Sequence, residues 1–230
     1  PIALVWHLAH LQVVPGAEKG FQFLQSEGEA RTLRSEKISA YRGVITDRNG
    51  ELLAVSTPVK SVFANPRQID PNEIDALAKA LGEKPSQFRK RLAKYKGKQF
   101  IYLARQLPPH EADEILEKKF AGVSAETEYR RFYPAGEVAA HVVGFTDIED
   151  RGQEGVELGF DQWLAGAPGV KRVVKDLKGN VVKEEGMLRS PKSGSDLRLT
   201  IDLRLQYLAY RELKAAINAQ KAKSGSLVMM

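Results

Sequence analysis

A serine followed three residues later by a lysine would be the most reactive pair this sequence could hold, because the amine can accept the hydroxyl proton. No lysine in the 230-residue chain has a serine at that spacing. The four histidines are scattered, and His110-Glu111 lacks the second histidine of a zinc motif. With no cysteine, disulfides, thiolate metal sites and a cysteine nucleophile are excluded. We therefore expect no catalytic residue, no metal site and no cofactor in this chain.

Three charges, Arg42, Asp47 and Arg48, are crowded into seven residues of the stretch 42–50, Arg-Gly-Val-Ile-Thr-Asp-Arg-Asn-Gly. Asn-Gly between two β-forming runs is a strong signal for a tight hairpin, and residues 51–55 resume as a strand. Charges crowded into a strand pair usually stay solvated or pair with one another. Taken alone, the stretch predicts an ordinary solvated hairpin. Its candidate site residues are Arg42, Gly43, Asp47, Arg48 and Gly50.

Two further motifs contain partners for these charges. One runs from a charged strand into a Pro-x-Gly turn, with candidate residues Arg131, Tyr133, Pro134, Gly136 and Glu137. The other opens an amphipathic helix predicted over 152–164, with candidate residues Gly152, Gly155 and Glu157.

Glu157 needs a partner if it is buried, and a guanidinium can bind a carboxylate through two hydrogen bonds. Arg42, Arg48 and Arg131 are able to supply one. We hypothesise that the three motifs converge into one rigid structural network, in which none of the residues is catalytic.

The composition is that of a folded protein, with 43% apolar and 28% charged residues. The net charge of 35 − 29 = +6 is too diffuse to indicate nucleic-acid binding. One basic cluster stands out at 89–98. If the cluster is a solvated face of a helix, it needs no ligand. If it is a binding surface, it would suit an anion. Its cations are Arg89, Lys90, Arg91, Lys94, Lys96 and Lys98.

The periodicity predicts an α+β fold of β-hairpins and short helices. A helix is predicted over 70–82, a second around Phe88 and Leu92, and a third over 108–119. These elements make 67–120 a small α/β insertion. A hairpin is predicted over 169–186, a strand over 197–201, and a helix that Asp202 caps. An apolar strand is predicted from Gly225 to Met230. His141 and Trp163 are expected in the core.

The first 14 residues are apolar but too short to span a bilayer, which takes about 20 residues. We interpret 1–14 as the outer end of a membrane anchor. Because the apolar strand predicted from Gly225 also stops at Met230, we expect the sequence to be a fragment at both ends. The alternatives are an amphipathic surface helix or a clipped core helix.

The three motifs together resemble those of the non-catalytic module of class B penicillin-binding proteins. The runs 131–146 and 199–206 are similar to the cell-division branch of that family, the septal peptidoglycan D,D-transpeptidases of the FtsI type. The resemblance implies a membrane anchor, an elongated periplasmic pedestal and then a transpeptidase domain. Residues 15–195 would be the pedestal and 196–230 the first helix and strand of an incomplete transpeptidase domain.

The resemblance also implies a location and partners: the bacterial inner membrane, crossed once, with this region in the periplasm. The pedestal would position the transpeptidase and contact a SEDS-type glycan polymerase and other division proteins. The missing catalytic domain would bind peptidoglycan, and no nucleic-acid partner is expected. The parent protein would be a penicillin-sensitive serine enzyme, whereas this chain would acylate nothing. Two alternatives are a stand-alone peptidoglycan- or anion-binding module using the 89–98 face, and a complete enzyme with unrecognised chemistry.

Overall fold

The structure, a computed structural model, describes residues 33–95, 97–175 and 181–229. The predicted anchor end at 1–14, the predicted polar connector at 15–30 and the predicted turn Lys178-Gly179-Asn180 lie outside these residues. The chain divides into two compact units. In the described residues the smaller one contains 33–37, 170–175 and 181–190, and the larger one contains the remainder.

Helices and strands are mixed along the chain, which confirms the predicted α+β class. The strands are β1 (Leu33–Ile38), β2 (Ile45–Thr46), β3 (Leu52–Ala64), β4 (Ile101–Leu107), β5 (Val123–Phe132), β6 (Gly169–Lys175), β7 (Val181–Arg189) and β8 (Leu197–Arg198). The helices are α1 (Ile74–Ala80), α2 (Pro85–Lys94), α3 (Pro109–Glu117), α4 (Ala140–Val143), α5 (Gly155–Gly159), α6 (Asp161–Leu164) and α7 (Leu203–Gln220), with a 3-10 turn at Gly136–Val138. Across the described ranges, no helix is both long enough and apolar enough to cross a membrane.

The strand β3 organises the larger unit. It pairs antiparallel with β2 at its start, which confirms the predicted hairpin, and with β4 and β5 further along. The short strand β8 adds to β2 in parallel. Pro58 is predicted to mark an edge or an end of a strand, and β3 continues through it with β5 as its neighbour there. Proline is tolerated there because only β5 pairs with that part of β3, so no strand requires the missing N–H.

Two hydrophobic cores lie along this sheet. The first packs helices α1, α2 and α3 against β3 and β4, and thus contains the predicted 67–120 elements. Its buried residues include Val62, Leu77, Phe88, Ile101, Leu103 and Ile115. The second core joins the hairpin to α4 and α6 and includes Ile45, Leu53, Val143 and Leu164. Because β3 contributes to both cores, the larger unit is continuous across them.

The predicted helix over 70–82 begins later than expected, at Ile74. The Asp70 carboxylate accepts a hydrogen bond from the Asn72 backbone N–H at 2.9 Å, which stabilises a local turn in place of the first helical turn. The Glu73 carboxylate accepts from the Ala121 N–H at 3.2 Å, so it does not complete a capping box.

The predicted helix over 152–164 is two short helices, α5 and α6, that meet at Phe160. The break divides the expected apolar stripe: Leu164 is buried in the second core, whereas Phe160 and Trp163 are 47% and 57% exposed. The Trp163 indole N–H donates to the Asp196 carbonyl. His141 is also exposed. The prediction that both residues belong to the core is therefore wrong.

The C-terminal predictions differ in outcome. Asp202 caps α7 as predicted, its carboxylate accepting from the Arg204 N–H at 3.0 Å. The strand predicted over 197–201 contains only β8. Residues 225–229 have no regular structure, so the strand predicted from Gly225 is wrong for them. A strand is stable only when a neighbour pairs with its backbone groups, and in the described chain these residues pair with none.

The smaller unit is a three-stranded sheet in the order β1-β6-β7. Strands β6 and β7 pair antiparallel, with Val170 opposite Arg189, as the predicted hairpin requires. The Lys171 ammonium contacts the Glu184 carboxylate at 2.6 Å across this pair.

Candidate functional site

A buried carboxylate lies at the centre of the candidate site. Glu157 is in the first turn of α5 and is 0% exposed. The Arg42 Nε donates to one of its oxygens at 2.8 Å, and the Arg131 Nε donates to the other at 2.7 Å. Each carboxylate oxygen therefore has its own guanidinium partner, and three distant parts of the sequence meet at one side chain.

Arg42 makes further contacts within this cluster. Its Nη2 donates to the Glu157 carbonyl oxygen at 3.0 Å, and its Nη1 donates to the Asp150 carbonyl oxygen at 3.1 Å. The same Nη1 is 2.8 Å from the Asp161 carboxylate. Burial by itself would lower the pKa of Arg42, but Glu157 and Asp161 hold that pKa above its ordinary value. The guanidinium thus remains charged and fixes the backbone on both sides of α5.

Arg131 connects the cluster to the central sheet. Its Nη1 donates to the Ser56 hydroxyl at 3.2 Å and reaches the Arg42 carbonyl oxygen at 3.5 Å. Arg131 and Ser56 are opposite each other on β5 and β3. Sequence reasoning missed Ser56, because nothing local indicates which residue of β3 faces Arg131.

Asp150 and Asp161 were also missed. Asp161 follows Glu157 by four residues, and that helical spacing was a usable signal. Asp150 has a left-handed backbone, with φ of 62°, and desolvation raises the pKa of its carboxyl group to about 6. Together, Glu157 and Asp161 balance the two buried arginine charges.

Two glycines permit the close backbone approaches that this cluster needs. A Cβ at Gly43 would lie 2.0 Å from the Ser195 carbonyl oxygen, and one at Gly152 would lie 2.1 Å from the Glu157 carbonyl oxygen. Both distances are far below van der Waals contact, so any side chain would force the backbone apart. Gly43 and Gly152 are thus spatial requirements of the junction.

The other end of the hairpin forms a second cluster around Asp47, which is 0% exposed. One Asp47 carboxylate oxygen accepts from the backbone N–H groups of Asn49 and Glu51, at 2.7 and 2.9 Å. The other oxygen accepts from the Leu203 N–H at 3.0 Å, in the first turn of α7. The bond from Leu203, assisted by those from Glu51 and Asn49, lowers the pKa of Asp47 to about 2.

Arg48 belongs to this second cluster and not to the first. Its Nε donates to the Thr200 carbonyl oxygen at 2.6 Å, and its backbone N–H donates to the Ile201 carbonyl at 2.9 Å. The prediction that Arg48 can supply a guanidinium to Glu157 is therefore wrong. Arg48 lies in the turn after β2, where its side chain and its backbone N–H both contact the segment that pairs with the hairpin.

The segment 194–201 follows the hairpin strand residue by residue. Gly194, Leu197 and Leu199 donate backbone hydrogen bonds to residues 41, 44 and 46 at 2.8 Å each. The hairpin therefore contacts Glu157 at one end and the start of α7 at the other.

The remaining candidate residues lie beside these two clusters. Tyr133 packs against the second core. Glu137 is exposed and contacts the Lys214 ammonium at 3.1 Å, so it joins α7 and not Glu157. A Cβ at Gly155 would lie 2.6 Å from the Val142 carbonyl, which ties α5 to α4. Three residues are at turns, away from the ion pairs: Gly50, Pro134 and Gly136.

The basic face at 89–98 is partly neutralised. Arg89 pairs with Asp75 at 2.6 Å, and Arg91 pairs with Glu83 at 2.9 Å. Lys96 is outside the described residues. Two of the six predicted cations thus have acidic partners, and the anion-binding role of this face stays a prediction.

Removing the Asp47 charge tests the second cluster. Asp47→Asn should lower the melting temperature at neutral pH, because the amide NH2 replaces one acceptor oxygen and would face either the Leu203 N–H or the N–H groups of Asn49 and Glu51. The folded pKa is below that of the unfolded chain, so the stabilisation from Asp47 is complete above about pH 4 and is lost as the pH falls towards 2. The melting-temperature difference between wild type and variant, measured from pH 2 to 7, should shrink in that window. A constant difference would contradict this assignment.

These geometries describe ion-paired structural joints between segments. In the residues described, no group of three or more His, Asp or Glu side chains is placed to hold a metal ion.

Comparisons with known proteins follow the same segments. Residues 37–199 match the family described as the penicillin-binding protein dimerisation domain. The chain is 44% identical over 235 residues to the peptidoglycan D,D-transpeptidase FtsI of Escherichia coli (strain K12), covering 99% of this chain and 39% of that protein. It is 41% identical over 231 residues to the probable peptidoglycan D,D-transpeptidase PbpC of Pseudomonas aeruginosa, covering 100% of this chain and 40% of that protein. The chain thus spans about 40% of the length of these relatives.

Two solved structures have a similar fold. The complex of penicillin-binding protein PBP2 and MreC from Helicobacter pylori matches with a TM-score of 0.60 and 23% identity, over 80% of this chain and 39% of that chain. Penicillin-binding protein 2X from Streptococcus thermophilus matches with a TM-score of 0.58 and 22% identity, over 80% of this chain and 32% of that one.

Proposed function

Since the chain belongs to the penicillin-binding protein family that carries this dimerisation domain, we propose that it is the non-catalytic pedestal of a septal peptidoglycan D,D-transpeptidase. The observation that carries the proposal is the double attachment of the 42–50 hairpin. One end binds buried Glu157 through Arg42, and the other binds the first turn of α7 through Asp47. Such an arrangement transmits position from one element to the next without any chemistry of its own.

The proposal assigns a role to each part of the chain. Residues 15–195 form the pedestal, with 67–120 as an α/β insertion, and 196–230 begin the transpeptidase domain. Residues 1–14 are the end of a single inner-membrane anchor, and the pedestal lies in the periplasm. The relatives are about two and a half times as long as this chain, which supports a longer parent protein that carries the catalytic serine.

The pedestal also contacts proteins of the division machinery, including a SEDS-type glycan polymerase. A similar fold occurs in the complex of PBP2 with MreC, which supports a search for protein partners on this module. The parent protein binds peptidoglycan through its catalytic domain.

Fluorescent penicillin tests whether the longer parent protein, and not this chain, contains the acylated serine. We expect no covalent label on the 230-residue chain and a label on the longer product of the same gene, prevented by excess unlabelled penicillin. The physical reason is that acylation needs a serine activated by a lysine, and no serine–lysine pair at the required spacing occurs in residues 1–230. Denaturing gel fluorescence measures the outcome. A label on the 230-residue chain itself would refute the proposal.

Replacing the pedestal tests whether its positioning role can be lost while the acylation activity of the catalytic domain remains. A longer product whose residues 33–195 are exchanged for an unrelated periplasmic domain should still be labelled, but it should not support septation in cells that lack the native gene. Normal septation by that hybrid would show that the pedestal does not position the enzyme.

A further inference from the structure

Three aromatic side chains form a row on one face of the sheet. Phe63 on β3 is opposite Tyr102 on β4 in the strand register. The Phe63 ring stacks on Phe100 with centroids 5.0 Å apart, and Phe100 meets Tyr102 edge-on with centroids 4.8 Å apart. We call Phe63, Phe100 and Tyr102 the aromatic row.

The row lies on the sheet face away from the helices. Val62, Ile101 and Leu103 point into the first core, against α1, α2 and α3. Side chains alternate along a strand, so Phe63 and Tyr102 point to the opposite face. Phe100, which directly precedes β4, is 45% exposed, and Phe63 and Tyr102 are partly buried. A ligand could therefore reach the row through Phe100.

Polar groups border the row at both ends. At one end the Tyr102 hydroxyl donates to Glu126 at 2.6 Å, and the Arg105 guanidinium lies 4.5 Å from the Tyr102 ring centroid. Arg105 pairs with both Glu128 and Glu149, at 2.8 and 2.6 Å. Together with Glu126 this end has three carboxylates and one guanidinium, so it is net negative and suits the uncharged hydroxyls of a sugar, not a peptide carboxylate.

The other end, beside Phe100, is basic. The Lys98 ammonium lies 5.3 Å from the Tyr95 ring, and the Arg67 guanidinium donates to the Gly97 carbonyl at 2.7 Å. Within the described part of the chain, Arg67, Lys94 and Lys98 form no ion pair with a carboxylate. The loop next to the row therefore has uncompensated positive charge.

We propose that the aromatic row binds a peptidoglycan glycan strand, with its sugar rings on the aromatic faces and its peptide carboxylates near Lys98 and Arg67. The C–H groups on one face of a pyranose ring suit the negative face of an aromatic ring, while the hydroxyls at its rim suit Tyr102 and Glu126. The stem peptides make the strand anionic, which matches the basic loop. The choice of this polymer rests on the proposed function. The row would hold a strand on the pedestal.

Binding of soluble, uncross-linked glycan strands to the 230-residue chain, measured by calorimetry, tests the row. Phe100→Ala should weaken binding about tenfold, since one stacked ring is lost. Phe100→Trp keeps an aromatic face and should bind within about twofold of wild type. Phe132→Ala is the matched control: Phe132 is 54% exposed at the far end of β5 and should leave binding unchanged. Melting temperatures of the variants check that the fold is intact.

The charge component has its own test. Lys98→Gln should reduce the salt dependence of binding, whereas Lys221→Gln should not, because Lys221 is at the C-terminal end of α7, a helix that begins beside Asp47 at the opposite end of β3. Strands stripped of their peptides should bind more weakly than intact strands, and their binding should be insensitive to salt. Binding that survives Phe100→Ala unchanged would overturn the proposal, as would equal affinity for anionic lipid vesicles or single-stranded nucleic acid.

Failure of this inference is distinguishable from failure of the proposed function. If no strand binds while fluorescent penicillin still labels the longer product, the aromatic row has no glycan role and the pedestal assignment stands. If strands bind but the longer product is never labelled, the row remains a glycan site on a protein of another activity.

Discussion

Glu157→Ala should lower the free energy of unfolding by about 3–5 kcal/mol, the usual result of removing one partner of a buried ion pair. The buried Arg131 guanidinium would lose its carboxylate partner, and the buried Arg42 guanidinium would keep only Asp161. For a chain of this size the melting temperature should fall by roughly 10 °C. Thermal or urea unfolding measures the change.

Glu154→Ala is the matched control, because Glu154 is exposed at the start of the same helix and its side chain caps nothing. It should change stability by no more than about 0.5 kcal/mol. A second check uses coupling: Arg131→Ala should cost less in the Glu157→Ala background than in wild type, because its partner is already gone. Additive effects, or a Glu157→Ala protein as stable as wild type, would refute the network.

Gly152→Ala should be the second most damaging change, at roughly 3 kcal/mol. The new Cβ would lie 2.1 Å from the Glu157 carbonyl oxygen, and the obstacle is backbone, so no side-chain rotation can relieve it. That same oxygen accepts the Arg42 Nη2 hydrogen bond, so moving it also disturbs the ion pair. Urea unfolding measures the loss.

Gly159→Ala is the comparison, since no atom lies within 4 Å of a Cβ there and the residue is still in α5. It should be neutral or slightly stabilising, because alanine restricts the unfolded chain. Equal losses from the two substitutions would mean that helix propensity, and not the close approach, governs the effect.

Both predictions concern one feature: the motif at 152–157 must pack α5 directly against the segment that contains Arg42. Burial of two arginines is costly unless every charge is met, and here Glu157 and Asp161 meet them. A loosened junction would affect the position of whatever follows α7 before it affected any chemical step.

The family resemblance inferred from the three motifs is confirmed by the match of residues 37–199 to the dimerisation domain. The sequence also determined features with local causes. The hairpin at Asn49-Gly50, the Asp202 cap and the helices around Phe88 and Ile115 follow from turn chemistry and periodicity within a few residues. That Glu157 requires a basic partner likewise follows from its position on an amphipathic helix.

Only the tertiary structure decided which arginines those partners are. Arg42 and Glu157 are 115 residues apart, and a one-residue change of strand register would turn Arg131 away from both. The register of β3 with β5 sets Ser56 beside Arg131, and the register of β3 with β4 joins Phe63 to Tyr102. The pairing of the hairpin with 194–201 places Arg48 beside Thr200. Residue types and spacing show which charges need neighbours, but the neighbours themselves are chosen by the packing of strands distant in sequence.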